Sequence, residues 1–148
     1  MKSYLYSFVF IFILFSCSNE DNITPQTEAD IQAYIAANNL NAQKTSSGLY
    51  FIIEKQGTGT FPSRNSNVTV AYKGYLLDGN VFDESANGIS IGLNQVIPGW
   101  TEGIQLFRVG GEGKLIIPYQ LGYGIQGRAP AIPGGAVLVF DINLKSVN

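Results

Sequence analysis

From Gly48 onward, the chain is a succession of short β-type segments separated by glycine, proline and aspartate turn residues. In residues 67–74 (NVTVAYKG), Val68, Val70 and Tyr72 alternate with Asn67, Thr69 and Ala71, which is the period of a strand with one buried face. Asp78-Gly79 stands between two apolar stretches and is typical of a β-hairpin turn. This pattern favours an antiparallel sheet.

Four further segments are predicted strands: residues 49–55, 89–93, 114–118 and 136–145. The last of these is apolar at both odd and even positions up to Phe140, so both of its faces are apolar, as in a central strand. A Gly/Pro-rich loop is predicted over 119–135. Between residues 93 and 114, Pro98-Gly99 introduces a helix that is closed by Gly110-Gly111. Its apolar positions are Trp100, Ile104 and Phe107. The sequence therefore predicts an α+β fold, a five- to six-stranded antiparallel β-sheet wrapped around one short α-helix.

A short N-terminal helix is predicted to precede this domain. Thr27 and Glu28 open the pattern, residues 38–39 (Asn-Asn) end it, and its apolar face is formed by Ile31, Tyr34 and Ile35. We expect a spacer helix packed on the domain; a dimerisation helix is the alternative. Residues 18–26 are polar, acidic and proline-containing, which predicts a flexible tether.

The first residues are typical of an export signal. After Lys2, an apolar run over 4–16 ends at Cys17, and this run is shorter than the roughly 20 residues that a membrane span needs. Residues 14–17 (LFSC) resemble a lipobox, and Cys17 is the only cysteine, so no disulfide can form within the chain. We expect a signal peptide over 1–16, lipidation of Cys17, a tether with a short helix over 17–47 and a domain over 48–148. This organisation predicts a bacterial cell-envelope protein anchored to the membrane, at the outer membrane on its periplasmic or surface face. The alternatives are an ordinary signal peptide and an uncleaved anchor.

Composition excludes several classes of function. The chain has no histidine, which rules out Ser–His–Asp and Cys–His catalysis and His-ligated zinc sites. Nine basic residues stand against eleven acidic ones without any basic run, so the chain has no electrostatic footprint for nucleic acid. We therefore expect no nucleic-acid partner, no metal and no cofactor.

Five motifs follow one another along the predicted domain: VAYKG (70–74), VFDES (81–85), NQVIPGW (94–100), YGIQGRAPAIP (123–133) and LVFDINL (138–144). In order, spacing and residue type, these motifs resemble the FKBP-type peptidyl-prolyl cis-trans isomerases over about 100 residues. The resemblance implies an FKBP-like fold and rotamase activity on X–Pro peptide bonds. It also implies that X–Pro segments of unfolded or folding exported proteins are the substrates and that macrolides are candidate inhibitors. The short chain and the lack of a dimer motif favour a monomer.

The resemblance further implies a pocket and the residues that form it. The expected catalytic residues are Tyr72, Phe82, Asp83, Ile97, Trp100, Tyr123 and Phe140. The expected substrate-binding residues are Val96, Ile132, Ile89 and Arg128. In the family, the backbone N–H that matches Ile97 and the hydroxyl that matches Tyr123 donate hydrogen bonds to the bound peptide. Trp100 is the expected floor, and Asp83 is expected to pair with Tyr72 rather than to act as a base.

Four positions depart from the family pattern. Ile89 replaces an aromatic residue, Gln95 replaces an acidic one, Arg128 stands where many members have histidine, and Ala131 replaces a larger aliphatic residue. These departures bear on substrate preference and drug affinity more than on activity. The alternative function is a tethered proline-recognising chaperone or adaptor with little turnover, which would have the same pocket.

Overall fold

A computed structural model describes residues 22–148 of the chain. It contains two α-helices, α1 (Glu28–Ala37) and α2 (Pro98–Ile104), and a short 3₁₀ helix at Tyr119–Leu121. Its six strands are β1 (Gln43–Lys44), β2 (Tyr50–Lys55), β3 (Asn67–Leu76), β4 (Val81–Gly92), β5 (Glu112–Ile117) and β6 (Leu138–Val147). No helix in this part of the chain is long and apolar enough to cross a membrane.

The six strands form one antiparallel sheet in the order β1-β2-β5-β6-β3-β4. β6 lies between β5 and β3, and its residues Leu138, Val139 and Phe140 are all buried because both faces of the sheet are covered there. This confirms the predicted α+β fold with β6 as a central strand. The larger core lies on the face that carries α2, where Ile104 and Leu115 are fully buried.

The start of α2 is held against the sheet. Pro98 occupies the first turn, where the missing N–H has no cost. The Thr101 hydroxyl donates a hydrogen bond to the Leu93 carbonyl at 2.6 Å, which ties the helix to the end of β4. A side chain at Gly99 would meet the Ile117 side chain at 2.5 Å, so glycine lets α2 approach β5 closely. These contacts place Trp100 over the sheet.

The structure differs from the sequence prediction at the end of α2. The pattern through Phe107 predicted a longer helix, but α2 ends at Ile104. Leu106 and Phe107 then donate backbone hydrogen bonds to the carbonyls of Gly103 and Ile104, so the chain closes in tighter turns. Phe107 is still buried in the core, which is why its apolar character extended the helical pattern.

Residues 89–93 are not a separate strand, as the sequence predicted. Residues 89–92 belong to β4, a single strand of twelve residues that pairs with β3 along its length, and Leu93 lies in the turn that follows. The pairing shifts where Val70 faces Ile89 and Tyr72 faces Ser85, so β4 carries a bulge over residues 86–88. The bulge interrupts the local apolar pattern, which made one strand look like two. The two-residue strand β1 and the 3₁₀ helix were not predicted.

The opposite face of the sheet is partly covered by α1, which begins and ends where the sequence predicted. Ile31 of α1 is 2% exposed and belongs to a second apolar cluster with Tyr50, Ile116 and Val139. The chain contacts the domain before this helix as well. The backbone N–H of Gln26 donates a hydrogen bond to the Gly135 carbonyl at 2.9 Å, so the end of the predicted tether is held to the domain. The predicted signal peptide and Cys17 lie outside the described residues.

Candidate active site

A cavity of about 590 Å³ opens between α2, the β3–β4 pair and the loop that follows β5. All eleven residues that the sequence analysis assigned to the pocket line this cavity. Ile91, Ala129 and Pro130 also line it and were not predicted. The structure thus brings the predicted residues together, and their roles in binding and catalysis stay predictions.

Four aromatic rings form the apolar wall of the cavity, with Phe140 at their centre. Its ring lies 5.4 Å from Phe82 and 5.3 Å from Trp100, both in edge-to-face geometry, and 6.3 Å from Tyr72. Tyr72 meets Trp100 edge to face at 5.0 Å. Edge-to-face contacts are favoured by the quadrupoles of the rings, beyond the area that they bury. The wall is therefore a set of interlocked rings, which makes the cavity a preformed one.

Trp100 comes from the first turn of α2 and is only 5% exposed. Its indole N–H is buried, and no acceptor lies within hydrogen-bonding distance among residues 22–148. A buried donor without a partner costs about 1–3 kcal/mol and is rare in folded proteins. Within the described residues, this N–H is therefore a donor without a protein partner in the wall of the cavity.

The single carboxylate of the cavity wall belongs to Asp83, and it accepts a hydrogen bond. The Tyr72 hydroxyl donates a hydrogen bond of 2.7 Å to Asp83 Oδ2, as the sequence analysis expected. Burial, followed by the hydrogen bond and the negative charge of Asp83, raises the pKa of Tyr72 well above the ordinary value. Tyr72 therefore keeps its proton at neutral pH, and one oxygen of Asp83 is occupied.

Two of the hydrogen-bond donors at the cavity are those that the family resemblance assigns to the bound peptide. Within residues 22–148, the backbone hydrogen bonds include none donated by the amide of Ile97, the residue that precedes α2. The Tyr123 hydroxyl accepts a hydrogen bond of 3.3 Å from Arg128 Nη1, which leaves its own proton available for donation. An amide and a phenol beside the aromatic wall can hold the carbonyl groups of a peptide.

Gly74 is a residue of the site that the sequence analysis missed. It lies on β3 two residues after Tyr72, so it faces the same side of the sheet. A Cβ atom there would lie 2.7 Å from ring atoms of both Phe82 and Phe140. Only glycine lets these two rings meet. A glycine at an inward position of a strand indicates close approach of another group, which is the signal that could have identified it.

The chain is similar to known proteins along most of the described region. The family model for FKBP-type peptidyl-prolyl cis-trans isomerase matches residues 58–145. A probable FKBP-type peptidyl-prolyl cis-trans isomerase FkpA from Neisseria meningitidis is 50% identical over 106 residues, which cover 70% of this chain and 39% of that protein. The chain spans about two-fifths to one-half of the length of the curated relatives that it matches.

Two crystal structures have the same fold. FkpA from Escherichia coli is 37% identical with a TM-score of 0.74, and the match covers 81% of this chain and 58% of FkpA. A peptidyl-prolyl cis-trans isomerase from Pseudomonas syringae is 32% identical with a TM-score of 0.73, and the match covers 84% of this chain and 98% of that one. With the matched family model and the interlocked aromatic cavity, these findings show that the chain belongs to the FKBP-type peptidyl-prolyl cis-trans isomerase family.

Proposed function

We propose that this chain catalyses cis/trans isomerisation of X–Pro peptide bonds in its aromatic cavity. The observation that carries the proposal is the cluster of four interlocked rings, Tyr72, Phe82, Trp100 and Phe140, which forms one wall of the cavity beside donors for a peptide. Membership of the isomerase family supports the same activity.

The chemistry requires no acid, base or nucleophile. Amide resonance opposes rotation of the peptide C–N bond with a barrier of roughly 18–20 kcal/mol. The twisted transition state loses this resonance and much of the charge separation of the carbonyl, so it is less polar than either planar isomer. An aromatic wall removes the water that stabilises the planar amide and accepts the twisted one, which is preferential binding of the transition state.

Each side chain has a proposed part in this step. Trp100 and Phe140 form the apolar surface for the proline ring, and Phe82 closes the cavity from the side of β4. The Ile97 amide and the Tyr123 hydroxyl donate hydrogen bonds to the flanking peptide carbonyls. Because one oxygen of the only wall carboxylate accepts the Tyr72 hydroxyl, the pair orients the wall and is not proposed as a general base.

An isomerisation assay tests the activity. With a short X–Pro peptide, the protein should accelerate cis-to-trans exchange, and the variants Phe82→Ala and Tyr123→Phe should lose most of this acceleration. Phe61→Ala is the matched control, because Phe61 is an exposed aromatic residue, 49% accessible, that does not line the cavity. Exchange that is no faster with the wild-type protein than in buffer would falsify the proposed isomerase activity. Binding of the peptide without acceleration would instead favour the chaperone or adaptor.

The pH profile of activity offers a second test of the mechanism. Because the chain has no histidine and the proposed step transfers no proton, kcat/KM should be constant between about pH 6 and 9. A bell-shaped profile in this range would contradict the desolvation mechanism.

We also propose that the protein is exported and held at the bacterial outer membrane by a lipid on Cys17, where it isomerises X–Pro segments of other exported proteins as a monomer. The apolar run before the only cysteine supports this location. Residues 17–47 then join the lipid to the isomerase domain over 48–148, and the chain from Gln26 onward is packed on that domain.

Mass spectrometry of the mature amino terminus tests this part of the proposal. We expect an acylated cysteine as the first residue and, for Cys17→Ser, release of the protein from the membrane fraction. An unmodified amino terminus upstream of Cys17 would contradict it. Inhibition of the isomerase by a macrolide tests whether the cavity accepts that class of ligand.

A further inference from the structure

The charge balance at the mouth of the cavity suggests a substrate preference. Of the residues that line the cavity, only Asp83 and Arg128 are charged. Asp83 already accepts the hydrogen bond of Tyr72. Among residues 22–148, no carboxylate lies within 4.0 Å of the Arg128 guanidinium. The Arg128 cation therefore forms no ion pair in this part of the chain, and the Asp83 carboxylate, which keeps its charge beside a neutral hydroxyl, is the only other charge that lines the cavity.

The nearest polar partner of Arg128 is neutral. Its Nη1 atom is 3.3 Å from the Tyr123 hydroxyl, and the guanidinium carbon is 5.7 Å from the centre of the Tyr123 ring. These contacts place the cation beside a proposed substrate donor without neutralising it. A carboxylate of a bound peptide could therefore approach the guanidinium without displacing an existing ion pair.

The backbone holds Arg128 in this position. Its N–H donates to the Ile132 carbonyl at 2.8 Å, and the Ile132 N–H donates back to the Arg128 carbonyl at 2.9 Å. Ile132 is 4% exposed and belongs to the main core, so this pair of hydrogen bonds anchors the loop.

Resting on the proposed isomerase function, we propose that Arg128 makes this cavity prefer prolines flanked by an acidic residue. A Glu side chain next to the proline meets an unpaired guanidinium, a Gln side chain of the same shape gains no charge interaction, and a Lys side chain is repelled. Gln95, which lines the same cavity, is neutral and adds no further negative charge to its mouth.

Kinetics on matched peptides test the preference. We would measure kcat/KM for peptides that carry Glu, Gln, Lys or Leu either before or after the proline. Because Arg128 is exposed, we expect Glu to exceed Gln by about two- to fivefold in at least one of the two positions at low salt. The ratio should fall towards one at about 0.5 M salt, because the ions screen the pair. Equal values for Glu and Gln in both positions would overturn the proposal.

Variants assign the preference to Arg128. In Arg128→Gln the ratio of Glu to Gln should fall to about one, and in Arg128→Glu the Lys peptide should become the better substrate. Arg64→Gln is the control, because it removes the same charge from an exposed residue that does not line the cavity, and its ratio should match the wild type. A ratio that persists in Arg128→Gln would overturn the assignment.

Failure of this inference can be distinguished from failure of the proposed function. Acceleration of the Leu peptide without any charge preference rejects only the role of Arg128. No acceleration of any peptide rejects the isomerase itself, and the preference with it.

Discussion

Gly74→Ala should uncouple the aromatic wall while leaving the rest of the fold in place. The added Cβ would lie 2.7 Å from ring atoms of Phe82 and Phe140, whereas ordinary contacts of a Cβ lie at 3.4–4 Å. Phe140 has little room to retreat, because it is 4% exposed and packs against Trp100. Phe82 is only partly buried, so we expect its ring to swing towards the cavity.

The magnitude follows from the cost of overpacking a core, about 1–3 kcal/mol. We expect the free energy of unfolding to fall by that amount. If the transition-state complex loses the same free energy, kcat/KM falls by about 5- to 140-fold, because each tenfold corresponds to about 1.4 kcal/mol. Denaturant unfolding and the X–Pro exchange assay measure the two quantities on the same preparation.

Gly79→Ala separates loss of stability from loss of the wall. Gly79 lies in the β3–β4 hairpin turn with φ +90°, and an added Cβ would have no neighbour within 4 Å. A side chain at positive φ costs roughly 1–2 kcal/mol, so this variant should be destabilised to a similar degree. Its kcat/KM should stay within about twofold of the wild type. A folded Gly74→Ala protein with wild-type kcat/KM, or equal losses in both variants, would refute the reasoning.

Two further predictions concern the other face of the sheet and the tyrosines. Ile31→Ala should lower the free energy of unfolding by about 2–5 kcal/mol without changing kcat/KM, since Ile31 is buried in the second cluster, away from the cavity. Ile23→Ala is the control, because Ile23 is exposed. Equal stability of the two variants would contradict the packing of α1. Burial raises the pKa values of Tyr72 and Tyr75, so above about pH 10 the unfolded chain loses protons that the folded protein keeps, and stability should fall by up to about 1.4 kcal/mol per pH unit for each. Denaturant titrations at several pH values from 9 to 11 give the free energy of unfolding at each pH. This free energy should fall less steeply with pH in the Tyr72→Phe/Tyr75→Phe variant than in the wild type, and an equal dependence on pH would refute this cause.

Much of the architecture could be predicted because its signals are local. The alternation over 67–74, the Asp78-Gly79 turn and the proline at the start of α2 each act within a few residues, and the structure has the corresponding elements. The apolar run of β6 up to Phe140 also identified the central strand, because a strand between two others must be apolar on both faces.

Other features depended on partners that local patterns do not contain. The bulge over 86–88 is a shift in the pairing of β4 with β3, so it depends on a partner strand that is distant in the sequence. The bulge interrupts the apolar pattern of β4, and the sequence therefore predicted residues 89–93 as a separate strand. α2 ends at Ile104 although Phe107 continues the apolar spacing, because Phe107 reaches the core from a turn. The β1 strand has two residues, too few to show a period.

The sequence alone therefore determined which residues could form an aromatic site, through residue types at recognisable spacings. Only the tertiary structure decided that they do so, because Tyr72, Phe82, Trp100 and Phe140 come from four elements that meet once the sheet has paired and α2 has packed on it. The tertiary structure also decided how two of the rings can touch. In the sequence Gly74 is one glycine among many, and only in the folded protein does its missing side chain leave room for the rings of Phe82 and Phe140.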